Sequence, residues 1–294
     1  MELTHKVPIT LRTPDVGDLR DVLDTLRAWH DGASPAQVHP GDVGWFWRFG
    51  AATTAASLRT WSRGDTVLAL ALLDGPDVAR LAVAPGASSD EALAEQLFED
   101  LSRPDRGVFP SGEVSVEARF GGALPALLRA NEWTEGESWT PLRHDLSTAR
   151  THDTLRVEVV DTSRVRDRVA VQRAAFARST FDEDCWRAMA EGPAYLDARC
   201  LVGYDLEGQA VAAATVWSAG PQRPGLLEPV GVHRDHQGRG YGTAITSAAV
   251  HTLREMGASS ALVCTRSANV GAVATYQSAG FERLGESFDL RRSA

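Results

Sequence analysis

Two copies of one pattern run through this 294-residue chain at a nearly constant spacing. The tail carries "GESFDL" from Gly285 to Leu290, and "GESWTPL" begins at Gly136, 149 residues earlier. The same 149-residue offset lays "ARLAVAPG" around Val83 on "LEPVGVHR" around Val232, and "GEVSVEA" at Val114 on "SSALVCT" at Val263. "LLRANEW", ending at Trp133, meets "TYQSAGF", ending at Phe281, at 148 residues, and "VPITLR" meets "LRVEVV" at about the same distance. One four-letter identity arises by chance. A spacing kept across five strand-like or helix-like pieces constrains the chain to two similar units. The polar, aperiodic stretch "DLSTARTHDT", Asp145 to Thr154, is the expected seam. The units are then 1–146 and 154–294.

The second unit reads as follows. Leu155 to Val160 alternates as a strand. Val165 to Phe176 and Asp182 to Ala190 have helical periodicity, with Asp182 as N-cap. Cys200 to Asp205 and Gln209 to Trp217 flank a "DLEG" turn as a hairpin, and Leu226 to Val232 is a further strand. Gly242 to Met256 is a helix with Gly257 just past its end. A strand at Ser260 to Cys264, a helix at Val270 to Ala279 and a last strand from Phe281 to Leu290 complete it. Strands alternating with helices require a mixed, partly parallel sheet. The expected class is α/β with α+β character: two units, each a central mixed β-sheet flanked by helices.

Composition narrows the function. Hydrophobic content of 43% and charged content of 23% fit a soluble globular protein. No run of about 18 apolar residues offers a membrane span, and "MELTHKVPIT" lacks the features of a secretion signal. Cys185, Cys200 and Cys264 are scattered and odd in number, which suggests reduced thiols and a cytoplasmic setting. A net charge of −9 argues against nucleic acid and is mildly favourable to a cationic or amine partner. A monomer or homodimer is expected.

The chemistry-bearing stretch is "VGVHRDHQGRGYG", Val230 to Gly242. Glycines between a strand and a helix let the backbone take positive φ and approach a ligand closely. The helix start adds free N–H groups and partial positive charge, a site for phosphate. A tight turn that merely needs glycine is the alternative while the loop is taken alone. The spacing fits neither G-x-G-x-x-G nor a Walker loop, because no Lys-Ser or Lys-Thr follows. Gln237-Gly-Arg-Gly240-Tyr-Gly242 after an apolar strand resembles the acyl-coenzyme A pyrophosphate loop of the GNAT superfamily of N-acetyltransferases. Asn269, Ala272, Tyr276, Gly280 and Phe281 reproduce that superfamily's N-x-x-A-x-x-x-Y-x-x-x-G-F element. These motifs cover residues 154–294, while 1–146 matches only in layout. The tandem arrangement is similar to that of actinobacterial two-domain GNAT proteins, mycothiol synthase among them; no residue here is assignable to a sugar–inositol acceptor.

The resemblance implies acetyl transfer from acetyl-CoA (coenzyme A as cosubstrate, no metal) to a primary amine of a small molecule by direct attack. Mycothiol synthase activity and a catalytically silent acyl-CoA-binding regulatory module are the alternatives. Backbone N–H groups of Gln237, Gly238, Arg239, Gly240, Tyr241 and Gly242 would hold the pyrophosphate, and Arg239 would add a charged contact or remain solvated. Val230 and Val232 would pair with the pantetheine arm while the 260–264 strand splays away, and Asn269 would support the helix start or touch the arm. Tyr276 is the candidate acid for the leaving thiolate. Glu228 is the candidate base, because a carboxylate inside "LLEPVGV" needs a wet cleft or a partner; a structural ion pair with an arginine is the equal alternative. His233 and His236 read as solvated. Trp217, Trp186 and Phe181 read as core or as acceptor-pocket lining. "GDVGWFWRFG", Gly41 to Gly50, reads as packing, or as contact with substrate or the other unit. The first unit has "APGASSDEA" where the loop should be, with Asp90 and Glu91 opposed to phosphate. It is expected to keep the scaffold without the cofactor, walling off the acceptor pocket or stabilising the catalytic half.

Overall fold

The structure, a computed structural model, describes residues 7–32, 37–148 and 154–293. The first half runs β1 (Ile9–Arg12), α1 (Leu19–Trp29), α2 (Pro40–Phe46), α3 (Ala51–Ala56), β2 (Leu58–Arg63), β3 (Thr66–Leu73), β4 (Val78–Val83), α4 (Glu91–Ser102), β5 (Val114–Glu117), α5 (Ala123–Ala130) and β6 (Thr134–Asp145). The second runs β7 (Arg156–Val159), α6 (Val165–Ala175), α7 (Glu183–Glu191), β8 (Ala198–Tyr204), β9 (Ala210–Ser218), β10 (Pro224–Val232), α8 (Tyr241–Glu255), β11 (Ser260–Arg266), α9 (Val270–Ser278), β12 (Glu282–Arg283) and β13 (Ser287–Arg292). The expected last strand is thus broken in two.

Local chemistry explains the boundaries. Asp182 accepts the Cys185 N–H at 2.8 Å and starts α7. Asn269 accepts the Ala272 N–H at 3.2 Å and starts α9. Gly257, at φ +80°, ends α8 as a left-handed C′ residue.

One mixed sheet joins both halves, in the order β1-β2-β3-β4-β5-β13-β6-β11-β10-β9-β8-β7, with β12 beside β6. With the two copies equated, that order reads the same from either end. Each half has three antiparallel pairings followed by one parallel pairing, β4 with β5 and β10 with β11. The closing strands are exchanged at the centre. β6 pairs with β11 of the second half, and β13 pairs with β5 of the first.

Alternation sorts the side chains into layers. Leu70 and Leu72 of β3 and Cys200 and Val202 of β8 join α1, α2, α6 and α7 in one core that spans both halves. On the other face, α4 and α5 cover a core of the first half, and α8 and α9 a core of the second. The expected seam starts as the end of β6, and Leu146 is buried in the second half's core. Residues 149–153 of that seam lie outside the described residues.

Helix α2, from the aromatic-rich stretch of the first half, packs on β9. A Cβ at Gly41 or Gly44 would lie 2.4 Å from Trp217, and one at Gly192 would lie 2.8 Å from the Trp47 ring. Two tryptophans therefore lock across the halves, each seated on glycine backbone.

Candidate active site

The site begins where the sheet opens. β10 pairs with β11 only over Pro224–Leu226, and its register against β9 shifts between Leu227 and Val230. Glu228 and Pro229 fill the gap; proline has no N–H to give a ladder. Beyond them Val230, Gly231 and Val232 form one wall of a cavity of about 560 Å³.

The other walls are the loop after β10, the start of α8 and one side of α9. Gly238 and Gly240 have φ of +75° and +82°, and a Cβ built on either would meet no atom within 4 Å. Neither is packed against protein; they face open space. Gly242 differs, because its Cβ would lie 2.9 Å from Thr275, so this glycine sets the approach of α8 to α9. The Ala244 N–H closes on the Gly240 carbonyl at 3.1 Å, leaving the first-turn amides of α8 at the cavity. Free amides, a helix N-terminus and bare backbone suit a pyrophosphate. Gln237, Gly238, Gly240, Tyr241, Gly242 and Asn269 line this cavity, as does His236. Arg239 is exposed and lies outside that wall.

A second cavity of about 310 Å³ adjoins the first and shares Phe176, Val230, Asn269, Ala272 and Tyr276 with it. Its polar lining comes largely from the first half. Arg80 of β4 sits among four carboxylates: Asp42 of α2 at 2.7 Å, Glu117 of β5 at 3.2 Å, Glu228 at 3.8 Å and Asp74 at 3.9 Å. Arg119 pairs with Glu117 at 2.9 Å. Four carboxylates against two guanidiniums leave an acidic chamber.

Burial pushes the Glu228 carboxyl well above its usual range, and the neighbouring Asp42 charge adds to this against the pull of Arg80. The side chain keeps 28% of its surface open to the cleft. Burial also acts to raise Asp42, but Arg80, a hydrogen bond from Glu228 and the His39 N–H hold it below its usual value. The pair therefore holds a proton on the Glu228 side. Burial, then the Glu228 charge, raises the Tyr276 phenol, so it stays protonated. No group among the described residues accepts its hydrogen bond. The Cys264 thiol, in the same chamber, is pushed up to about 11 by burial.

Residues 164–281 match the model described as the Acetyltransferase (GNAT) family. The match covers less than half of the chain. Solved structures share the fold over nearly the whole chain. A GCN5-related N-acetyltransferase from Sphaerobacter thermophilus aligns with TM-score 0.57 at 17% identity, covering 97% of this chain and 95% of that one. A GNAT-family acetyltransferase from Colwellia psychrerythraea gives 0.65 at 14%, covering 97% and 99%. A tandem GNAT protein from the clavulanic acid biosynthesis pathway gives 0.61 at 14%, covering 97% and 98%. At these identities the likeness is one of fold. No curated protein sequence matches the chain.

Within the matched residues, Gln237, Gly238, Gly240, Tyr241, Gly242, Asn269, Ala272 and Tyr276 line one cavity. Trp217 and Trp186 do not line either cavity. Trp217 is fully buried under α2, its indole N–H donating to the Glu228 carbonyl at 2.7 Å, and Trp186 is core. Phe181 lines a separate cleft. Sequence reading missed Asp42, Asp74, Arg80, Glu117 and Arg119. The signal was present in "VARLAV" and "VSVEA", where a charge interrupts an apolar strand as Glu228 does.

In the first half the corresponding helix start is already satisfied. Asp90 accepts the Leu93 N–H at 3.0 Å and pairs with Arg63 at 2.9 Å. A carboxylate of the chain itself sits where the second half offers free amides.

Proposed function

We propose that the protein transfers an acetyl group from acetyl-CoA to a primary amine of a small molecule, with 154–294 as the catalytic unit. In this reading 1–146 is a degenerate GNAT-like unit that supplies the acceptor wall. The supporting observation is the meeting at Tyr276 of a phosphate-suited cavity and an acidic chamber. The first fits the coenzyme arm, and the second attracts an ammonium ion.

The amine arrives protonated, with a pKa of about 10. Glu228, once ionised, takes one proton from it. The nitrogen lone pair then forms the N–C bond to the thioester carbonyl carbon, and the C–S bond breaks with its electron pair on sulfur. Tyr276 gives its proton to that sulfur and is reprotonated from the second proton lost by nitrogen. The products are the amide and the free thiol, with one proton released to solvent. Arg80 holds Asp42 and Glu228 in place and does not itself react.

The test combines acetyl-CoA binding by calorimetry with transfer to a panel of primary amines. The expected result is binding and transfer in the wild-type protein and neither in Gly240→Glu, which puts a side chain at positive φ and a negative charge into the phosphate site. Binding without transfer to any amine would favour a silent acyl-CoA-binding module.

A further inference from the structure

A third cleft, of about 410 Å³, lies on the other side of Glu228 and Pro229 and shares them and Phe176 with the acidic chamber. Its character is opposite. Trp45, Phe49, Phe176 and Phe181 give it aromatic walls, and Arg48 and Arg178 face a single lining carboxylate, that of Glu228. Arg48 is clamped between ring faces, 4.3 Å from the Trp45 centroid and 4.2 Å from that of Phe49. It donates one N–H to the Trp45 carbonyl at 2.7 Å. Neither Arg48 nor Arg178 has a carboxylate within ion-pairing distance among the described residues. A guanidinium held rigid by aromatic faces, with donors to spare, is arranged to take a planar anion in its fork.

Polarity thus reverses across Glu228: an acidic chamber beside Tyr276, then an aromatic cleft with two unpaired cations. We infer that the acceptor is a bipolar molecule, a primary amine carried on an apolar spacer with a carboxylate that docks on Arg48 and Arg178. This rests on the acyl-transfer reading above and adds the acceptor's class to it. Burial lowers the Arg48 pKa from an ordinary value so high that the group remains a cation.

The experiment compares ω-amino acids, from β-alanine to aminohexanoate, and aminomethylbenzoate with their carboxamides. Each carboxamide keeps the amine and spacer and loses the charge. The wild-type protein should prefer at least one acid over its carboxamide by about tenfold in kcat/KM, as one charged hydrogen bond supplies. That ratio should fall to within about twofold in Arg48→Gln and in Arg178→Gln; Arg178 is exposed, so its replacement spares the core. Equal use of every acid and its carboxamide, or a preference retained by both variants, would overturn the inference while leaving acyl transfer intact. No transfer to any compound by protein that still binds acetyl-CoA would overturn both.

Discussion

Glu228 and Asp42 come from different halves of the chain and share the Arg80 guanidinium. In the proposed mechanism Glu228 is a base only when ionised, so activity should fall as pH falls through its pKa. Because burial and Asp42 raise that pKa, the acidic limb of kcat/KM should lie well above the ordinary glutamate value of 4.5. Glu228→Gln should remove that limb, leave the limb set by the amine itself, and lower kcat/KM by about 10²- to 10⁴-fold. A variant with wild-type rate and an unchanged profile would eliminate Glu228 as base. Tyr276→Phe tests the other proton. Turnover should drop about 10- to 100-fold while the acetyl-CoA dissociation constant holds, since in the proposed mechanism the phenol is needed only as sulfur leaves.

Among the elements, α2 and α8 shape the two cavities. Gly41 and Gly44 present bare backbone to Trp217, and this contact puts Asp42, between them, into the acidic chamber. Gly44→Ala would bring a methyl group to 2.4 Å from the Trp217 ring. The expected loss is about 1–3 kcal/mol, read by denaturant unfolding; unchanged stability would show that α2 can shift freely. Helix α8 and its counterpart α4 start in opposite ways, one on glycine backbone open to a ligand, the other on the Asp90 side chain. The turn after α9 uses Gly280 at φ +93°, whereas the matching turn after α5 holds Glu132 at φ +67°. A non-glycine residue there is uncommon and costs strain that the second copy avoids.

At the scale of the whole molecule, the exchanged closing strands make the halves interdependent. Without residues 1–146, β11 loses β6 as its edge partner, and the chamber loses Asp42, Arg80 and Glu117. An unpaired edge promotes aggregation. Residues 154–294 expressed alone should be insoluble or associated, and co-expression with the first half should restore a soluble complex with transfer activity, seen by size-exclusion chromatography and amine assay. Wild-type transfer by soluble, monomeric 154–294 would refute this dependence.

The sequence by itself determined the duplication, the caps at Asp182 and Asn269, the left-handed Gly257 and the loop from Gln237 to Gly242. The caps, the left-handed glycine and the loop are short-range: a few neighbouring residues set each backbone conformation or hydrogen bond, and the duplication shows when the chain is compared with itself. The acidic chamber was not legible, because Arg80 and Glu228 lie far apart in the chain and no local period encodes their meeting. Nor was the exchange of β6 and β13. They are copies of one strand with similar patterns, so no local alternation assigns one to β5 and the other to β11. Only the tertiary structure decides between them, through the packing of α2 on Trp217 and of Leu146 in the second half's core, which fix how the two halves face each other.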